Sequence, residues 1–174
     1  MSVLLILGVM AILFILFFKE SIIILFEKNQ KKMDFLKRTN WFRNPWLSGL
    51  FLFFINAFLF FITGVILYTL TFFMIPFVHL FVMVFAVIVS VFVWCMINYT
   101  WEGTKLRRLK MGAVGSSFYL ILTIVFLYFF ITLKPDYPGE DTFMRAVGII
   151  MAMIVTSVAF LTCFIMTGFS KREM

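Results

Sequence analysis

Residues 47–98 read LSGLFLFFINAFLFFITGVILYTLTFFMIPFVHLFVMVFAVIVSVFVWCMIN and contain no Asp, Glu, Lys or Arg. A helix needs about 20 consecutive apolar residues to cross the hydrocarbon core of a bilayer. A charge-free run more than twice that long, interrupted by Pro76, predicts two membrane-spanning helices joined by a tight turn. This stretch therefore identifies the chain as an integral membrane protein.

Outward from this stretch, three more apolar runs predict further spans. Two of them, residues 111–133 and 146–170, are free of charge, and the third occupies the start of the chain. A cleaved signal peptide would need a basic start and a small-residue cleavage site, so an uncleaved first helix is favoured. We expect one all-α membrane domain over residues 1–174, a bundle of about five transmembrane helices at 3–18 or 3–26, 47–70, 77–99, 114–133 and 146–169.

Residues 21–38 predict a different element, an amphipathic helix on the cytoplasmic membrane surface, because apolar and basic side chains there fall on different helical faces. Pro45 then either stops this segment or opens the next helix. Trp41, Trp46 and Trp101 flank the predicted spans, and this position is typical of the interfacial aromatic belt.

The basic residues give an orientation. Hydrophobic residues make up 64% of the chain and charged residues 13%, yet the net charge is +7. With five spans, 13 of the 15 Lys and Arg residues fall on one side, so the positive-inside rule places the amino terminus outside and the carboxyl terminus in the cytoplasm of, most simply, a cell or plasma membrane. The expected surface partner is anionic lipid, with no nucleic acid. The candidate contacts for lipid or a protein partner are Lys28, Lys31, Lys32, Lys37, Arg38 and Arg43.

Few polar side chains fall inside the spans, and the amide of Asn56 is the most conspicuous. An amide in hydrocarbon needs a partner, so we expect a hydrogen bond across helices, with a ligand or ion contact as the alternative. Thr63 and Asn98 are the other candidate interhelical polar contacts. Cys95 and Cys163 are expected as reduced thiols inside spans, and a disulfide requires their helices to adjoin.

His79 is the only histidine and lies just inside the third predicted span. The expected role is an interfacial side chain, and the alternative is a pH-sensitive contact with the acidic residues of the loop before the last span. That loop carries Asp136, Glu140 and Asp141. No metal, cofactor or catalytic motif is predicted, since the chain lacks GxSxG, HExxH and P-loop patterns.

The last span carries small residues at helical spacing, a candidate packing face. Small residues let helices approach closely in lipid, and the pattern fits packing within this chain or docking onto another membrane protein equally well. The residues are Gly148, Ala152, Thr156, Ala159 and Cys163.

These features favour a non-enzymatic accessory, regulatory or assembly subunit of a membrane complex, with a membrane-protein partner or a homo-oligomer. One alternative is a small transporter or channel component with Asn56, Thr63 and Ser90 lining a polar path. A third hypothesis is a membrane-embedded lipid-modifying enzyme that uses His79 and the acidic loop.

Overall fold

A computed structural model describes residues 40–73, 78–135 and 141–169 of the chain. The elements are a short 3-10 turn, η1 (Asn40–Arg43), and four α-helices: α1 (Pro45–Phe73), α2 (Val78–Thr100), α3 (Lys105–Ile131) and α4 (Phe143–Gly168). Each of the four is long and apolar enough to cross a membrane, which confirms the all-helical membrane class for the described residues. The predicted first span, at 3–18 or 3–26, and the amphipathic segment 21–38 lie outside them.

Helix α1 begins at Pro45, two residues before the predicted span. The side-chain oxygen of Asn44 accepts the N–H of Trp46 at 3.1 Å, and its main-chain carbonyl accepts the N–H of Ser48 at 3.0 Å. An Asn oxygen satisfies a donor that the first turn would otherwise leave unbonded, and proline at the first helical position loses no hydrogen bond. Pro45 therefore opens the helix.

Helix α3 begins at Lys105, nine residues before the span predicted at 114–133. The basic stretch forms the first turns of the helix, and the N–H of Arg108 donates to the carbonyl of Thr104 at 3.0 Å. Leu, Arg and Lys are good helix formers. Charge ends the apolar part of a transmembrane segment, but it does not end the helix.

Helices α3 and α4 pack antiparallel over their length. A Cβ added to Gly112 would lie 3.1 Å from the backbone of Gly168, while Thr123 and Thr156 meet further along both helices. We call the end of the bundle where α3 begins and α4 ends the near end, and the opposite end the far end.

Helices α1 and α3 run parallel and approach closely through glycine. A Cβ added to Gly49 would lie 2.8 Å from Cβ of Val114, and one added to Gly115 would lie 2.5 Å from Cγ of Leu52. No larger residue fits at these positions without displacing its neighbour. Close backbone approach of this kind holds helices together where lipid removes the hydrophobic driving force.

The buried residues of the bundle all lie toward one end. Those of α1 end at Asn56, those of α2 begin at Val91, those of α3 end at Tyr119 and those of α4 begin at Thr156. We define the near half of the bundle as residues 45–58, 91–100, 105–119 and 156–168. The far half is residues 59–73, 78–90, 120–131 and 143–155, and it contains partly buried and exposed residues only.

Candidate functional site

A single buried amide joins all four described helices. Asn56 of α1 is 0% exposed. Its Nδ2 donates to the carbonyl of Gly115 of α3 at 3.0 Å and lies 3.7 Å from Sγ of Cys163 of α4. Its Oδ1 accepts the indole N–H of Trp94 of α2 at 2.8 Å. We call these four residues the Asn56 cluster.

Local packing explains why Asn56 can reach these partners. Because Gly115 has no side chain, α1 comes close enough for its amide to reach a carbonyl that a Cβ and its substituents would shield. The indole of Trp94 is held by an edge-to-face contact with the ring of Tyr119, with 6.0 Å between centroids. The amide is therefore held in place by glycine on one side and by aromatic packing on the other.

A second polar cluster closes the near end around the guanidinium of Arg108, which is 8% exposed. One of its nitrogens donates to the main-chain carbonyl and to the side-chain oxygen of Asn98, and the other donates to the carbonyl of Trp101 at 2.7 Å. The Nδ2 of Asn98 in turn donates to the carbonyl of Met166 in α4. We call Asn98, Trp101, Arg108 and Met166 the Arg108 cluster.

The Arg108 cluster stabilises helix ends that would otherwise keep unbonded carbonyls. The last carbonyls of a helix have no partner within it and carry a partial negative charge, so a nearby cation stabilises them. Arg108, in the first turns of α3, serves the end of α2 directly. Through Asn98, the same network reaches the last turn of α4. One basic side chain thus ties three helix termini together.

Trp101 does not belong to an exposed aromatic belt, contrary to the prediction. It is 1% exposed, whereas Trp46 is 63% exposed. Its ring lies 5.6 Å below the guanidinium of Arg108, and a Cβ added to Gly103 would lie 2.5 Å from it. Its indole nitrogen has no hydrogen-bond partner within the described part of the chain. Packing against Arg108 and the glycine turn explains why the residue is buried.

Most of the described Ser and Thr hydroxyl groups donate hydrogen bonds to carbonyl groups of their own helix. Thr63 donates to the carbonyl of Leu59 at 2.7 Å, within α1. Ser90 is half-buried on α2. Thr123 and Thr156 form a contact between helices, with their hydroxyl oxygens 2.9 Å apart between α3 and α4.

The small-residue face of α4 is divided between the two halves of the bundle. Thr156 and Cys163 are buried, and Ala159 packs against the core. Ala152 is half-buried, while a Cβ added to Gly148 would meet nothing within 4 Å. The end of the face toward Cys163 thus packs within the chain, and the end toward Gly148 is open. Cys95 and Cys163 are both buried thiols that are not joined in a disulfide.

The remaining predicted residues lie apart from both clusters. His79 is exposed in the first turn of α2. Asp141 is exposed, and its carboxylate accepts the N–H of Phe143 at 2.8 Å at the start of α4. Arg43 is exposed beside the near end. The other residues of these two sets lie outside the described residues: Asp136, Glu140, Lys28, Lys31, Lys32, Lys37 and Arg38.

Sequence reasoning missed Arg108 and Trp94 as members of the interior. One signal was available for Arg108: together with Gly112, Gly115 and Tyr119 it forms a set spaced by four, three and four residues, which places it on the inward face of α3. Compared with protein-family models, curated proteins and solved structures, the chain matches none of them.

Proposed function

We propose that the protein is a non-enzymatic accessory, regulatory or assembly subunit of a membrane complex. The observation that supports this proposal is the set of contacts made by the side-chain amide of Asn56. Both N–H groups and the carbonyl oxygen of this amide are directed at groups on the other three described helices. An amide used in this way stabilises one fixed arrangement of helices, as expected of a scaffold that presents its surface to a partner.

The same contacts favour this role over a small transporter or channel component. A solute pathway needs polar groups that exchange their partners as the solute passes. Asn56 is bonded to Gly115 and Trp94, and the Thr63 hydroxyl is bonded within α1. Ser90, the third residue expected to line a path, forms a side-chain hydrogen bond with Tyr119 of α3.

Native mass spectrometry after extraction in a mild detergent tests the proposed role. We expect the chain to be released in a complex with a larger membrane protein, and a lone monomer under conditions that preserve other complexes would contradict the proposal. Asn56→Leu separates the two roles in a second assay. A scaffold loses stability with no change in solute flux in liposomes, whereas a pore changes its flux. Thr63→Val, which removes a bond within one helix, is the matched control.

We also propose a topology of five spans, with the near end in the cytoplasm and anionic lipid as the surface partner there. Three basic residues in the first turns of α3, Lys105, Arg107 and Lys110, are exposed at this end. This position suits both the positive-inside rule and attraction to an anionic leaflet.

Labelling with a membrane-impermeant maleimide tests the orientation. In intact cells, with the native cysteines replaced by Ala, Thr104→Cys at the near end should react only after permeabilisation. Lys134→Cys at the far end should react directly. Both positions are exposed, so the reverse pattern would overturn the orientation rather than report a difference in burial.

A further inference from the structure

One face of α2 is buried in the near half of the bundle and uncovered in the far half. Its members follow one another at spacings of three and four residues, which keeps them on one side of a helix. We call them the α2 seam: Val84, Val87, Val91, Trp94 and Asn98. The last three are at most 4% exposed, whereas Val87 is 41% and Val84 57% exposed. Leu80, in the first turn of α2, is half-buried, so the uncovered part of the seam is bounded at both ends.

The bonds that attach α2 to the other helices all come from its last turns. Ser90, Trp94 and Asn98 bond to α3, α1 and α4 in turn. Within the described part of the chain, residues 78–89 form no hydrogen bond, ion pair or ring contact with another helix. Helices α1 and α3 keep such contacts in the far half, through Phe60 and Thr123. The first part of α2 is therefore the least restrained part of the bundle.

The residues opposite the uncovered seam can be counted from the contact between Trp94 and Tyr119. Helix α2 ends at the near end, where α1 and α3 begin, so it runs antiparallel to both. Two turns toward the far end from this contact, Val87 lies at the depth of Phe126 of α3. Counted in the same way from the buried amide of α1, Thr63 lies at that depth too. Phe126 and Thr63 are both half-buried, so each keeps surface that a neighbouring helix can cover.

We propose that residues 80–90 of α2 form a movable arm, which closes when the seam packs against α1 and α3 in the far half. The structure holds the open position. In the closed position Val84 and Val87 lie against Thr63 and Phe126, and they extend the interface that Trp94 already forms. The surface that covers the seam is therefore part of the same chain, and it continues an interface that is present in the near half.

The membrane keeps the two positions close in free energy. Apolar side chains such as Val84 and Val87 gain no hydrophobic free energy when they leave lipid for protein, so closure is decided by packing alone. The bonds of Trp94 and Asn98 hold the near half in both positions and give the arm a fixed base. Movement of the arm changes the surface that the far half presents. It requires no partner, so it can be measured on the purified chain, whatever complex the protein joins.

Distances between nitroxide labels test the arm on the full-length chain in lipid nanodiscs, with both native cysteines replaced by Ala. The labels go on Phe85→Cys and Tyr128→Cys, two exposed positions at one depth on α2 and α3. Pulsed electron paramagnetic resonance should resolve two distance populations, the shorter one from the closed arm. The control pair, Ile124→Cys and Val155→Cys, lies beside the bond between α3 and α4 and should give one population.

A single population for the pair on α2 and α3 would overturn the proposal, and so would two populations for both pairs, since the whole far half would then loosen together. A matched pair of variants tests which face closes. Val87→Phe overfills the closed contact and should lower the ratio of short to long distances about tenfold. Ile88→Phe, at the next residue and off the seam, is 53% exposed and should leave the ratio within about twofold. An equal response of the two variants, or no response to Val87→Phe, would contradict closure along the seam.

Discussion

The near and far halves of the bundle differ in the interactions that hold their helices together. In the near half, glycine contacts, the Asn56 cluster and the Arg108 cluster join all four described helices through specific bonds. In the far half, large apolar side chains such as Phe61, Phe72 and Phe81 are exposed at 65% or more. The near half therefore encodes one arrangement of helices, whereas the far half presents surface to whatever surrounds it.

This difference has a physical basis in the membrane. Apolar side chains gain no hydrophobic free energy from leaving lipid for protein, so packing of small residues and polar bonds must select the arrangement. The chain concentrates both in the near half, where the helix termini also need partners for their unbonded carbonyls. The far half lacks buried polar anchors in its described residues, and its faces are left for lipid or other helices.

Gly115→Leu should break the near half and have the largest effect. The new side chain would collide with Leu52, since even a Cβ would lie 2.5 Å from its Cγ. Overpacking costs about 1–3 kcal/mol, and we expect the upper end of this range for an overlap with a side chain that is itself fully buried. Gly148→Leu, in the open part of α4, is the matched control and should be tolerated. Unfolding by SDS in detergent micelles, followed by tryptophan fluorescence, measures both. Equal midpoints for the two variants would remove the distinction between the halves.

Arg108→Gln should produce the next largest effect, confined to the near end. Hydrogen bonds to charged groups contribute about 1.5–3 kcal/mol, and the variant loses bonds that satisfy the end of α2. We expect a loss of about 2 kcal/mol and faster hydrogen exchange of the amides of Trp101 and Phe169, which close the last turns of α2 and α4. Arg108→Lys should restore only part of the lost stability, because a lysine side chain ends in a single nitrogen and cannot replace both donating nitrogens of the guanidinium group.

The neighbouring Arg107 offers the control for that prediction. It is exposed on the same turn, so Arg107→Gln removes the same charge with an expected change within about 0.5 kcal/mol. If the two glutamine variants lost equal stability, the effect of Arg108 would come from net charge at the helix start. The cluster would then have no structural role.

The existence of the four described helices could be predicted because lipid leaves few solutions for a long uncharged chain. Their boundaries were less predictable, since α3 continues nine residues before the predicted start at 114. An uncharged run of residues marks the part of a helix that lies in the hydrocarbon core. Where the helix itself begins depends on helix propensity and capping. The Pro45 boundary could be placed closely because proline restricts the backbone locally.

The polar interior was predictable in part. Asn56 stood out because an amide in an apolar run needs a partner, but its partners lie 38 to 107 residues away in the sequence, and no local pattern specifies them. Arg108 was assigned to orientation because the positive-inside rule counts charges without asking which face of the helix carries them. Its spacing from Gly112 and Gly115 places it on the inward face of α3, and the count of charges did not use this spacing.

The pair Thr123 and Thr156 marks the boundary between the halves, and its coupling should be the smallest effect. Thr156 donates to the carbonyl of Ala152 at 2.9 Å within α4, which leaves its oxygen to accept from Thr123 at 2.9 Å. The carbonyl of Tyr119, also 2.9 Å from the Thr123 oxygen, competes for the same proton. Such bonds between transmembrane helices contribute about 0.6 kcal/mol on average. A double-mutant cycle with Thr→Val at both positions should therefore give a coupling energy of that size.

The control cycle pairs Thr123→Val with Thr162→Val, whose hydroxyl donates within α4 to the carbonyl of Val158 at 2.8 Å, and it should be additive. The coupling of Thr123 to Thr156 measures how far specific bonding extends along α3 and α4. A value near 0.6 kcal/mol keeps the near half as the part that selects the arrangement. A value above about 1.7 kcal/mol, the upper limit seen for such bonds, would mean that the boundary pair is itself an anchor. Specificity would then extend to the edge of the far half, and the contrast between the halves would lie in α1 and α2 alone.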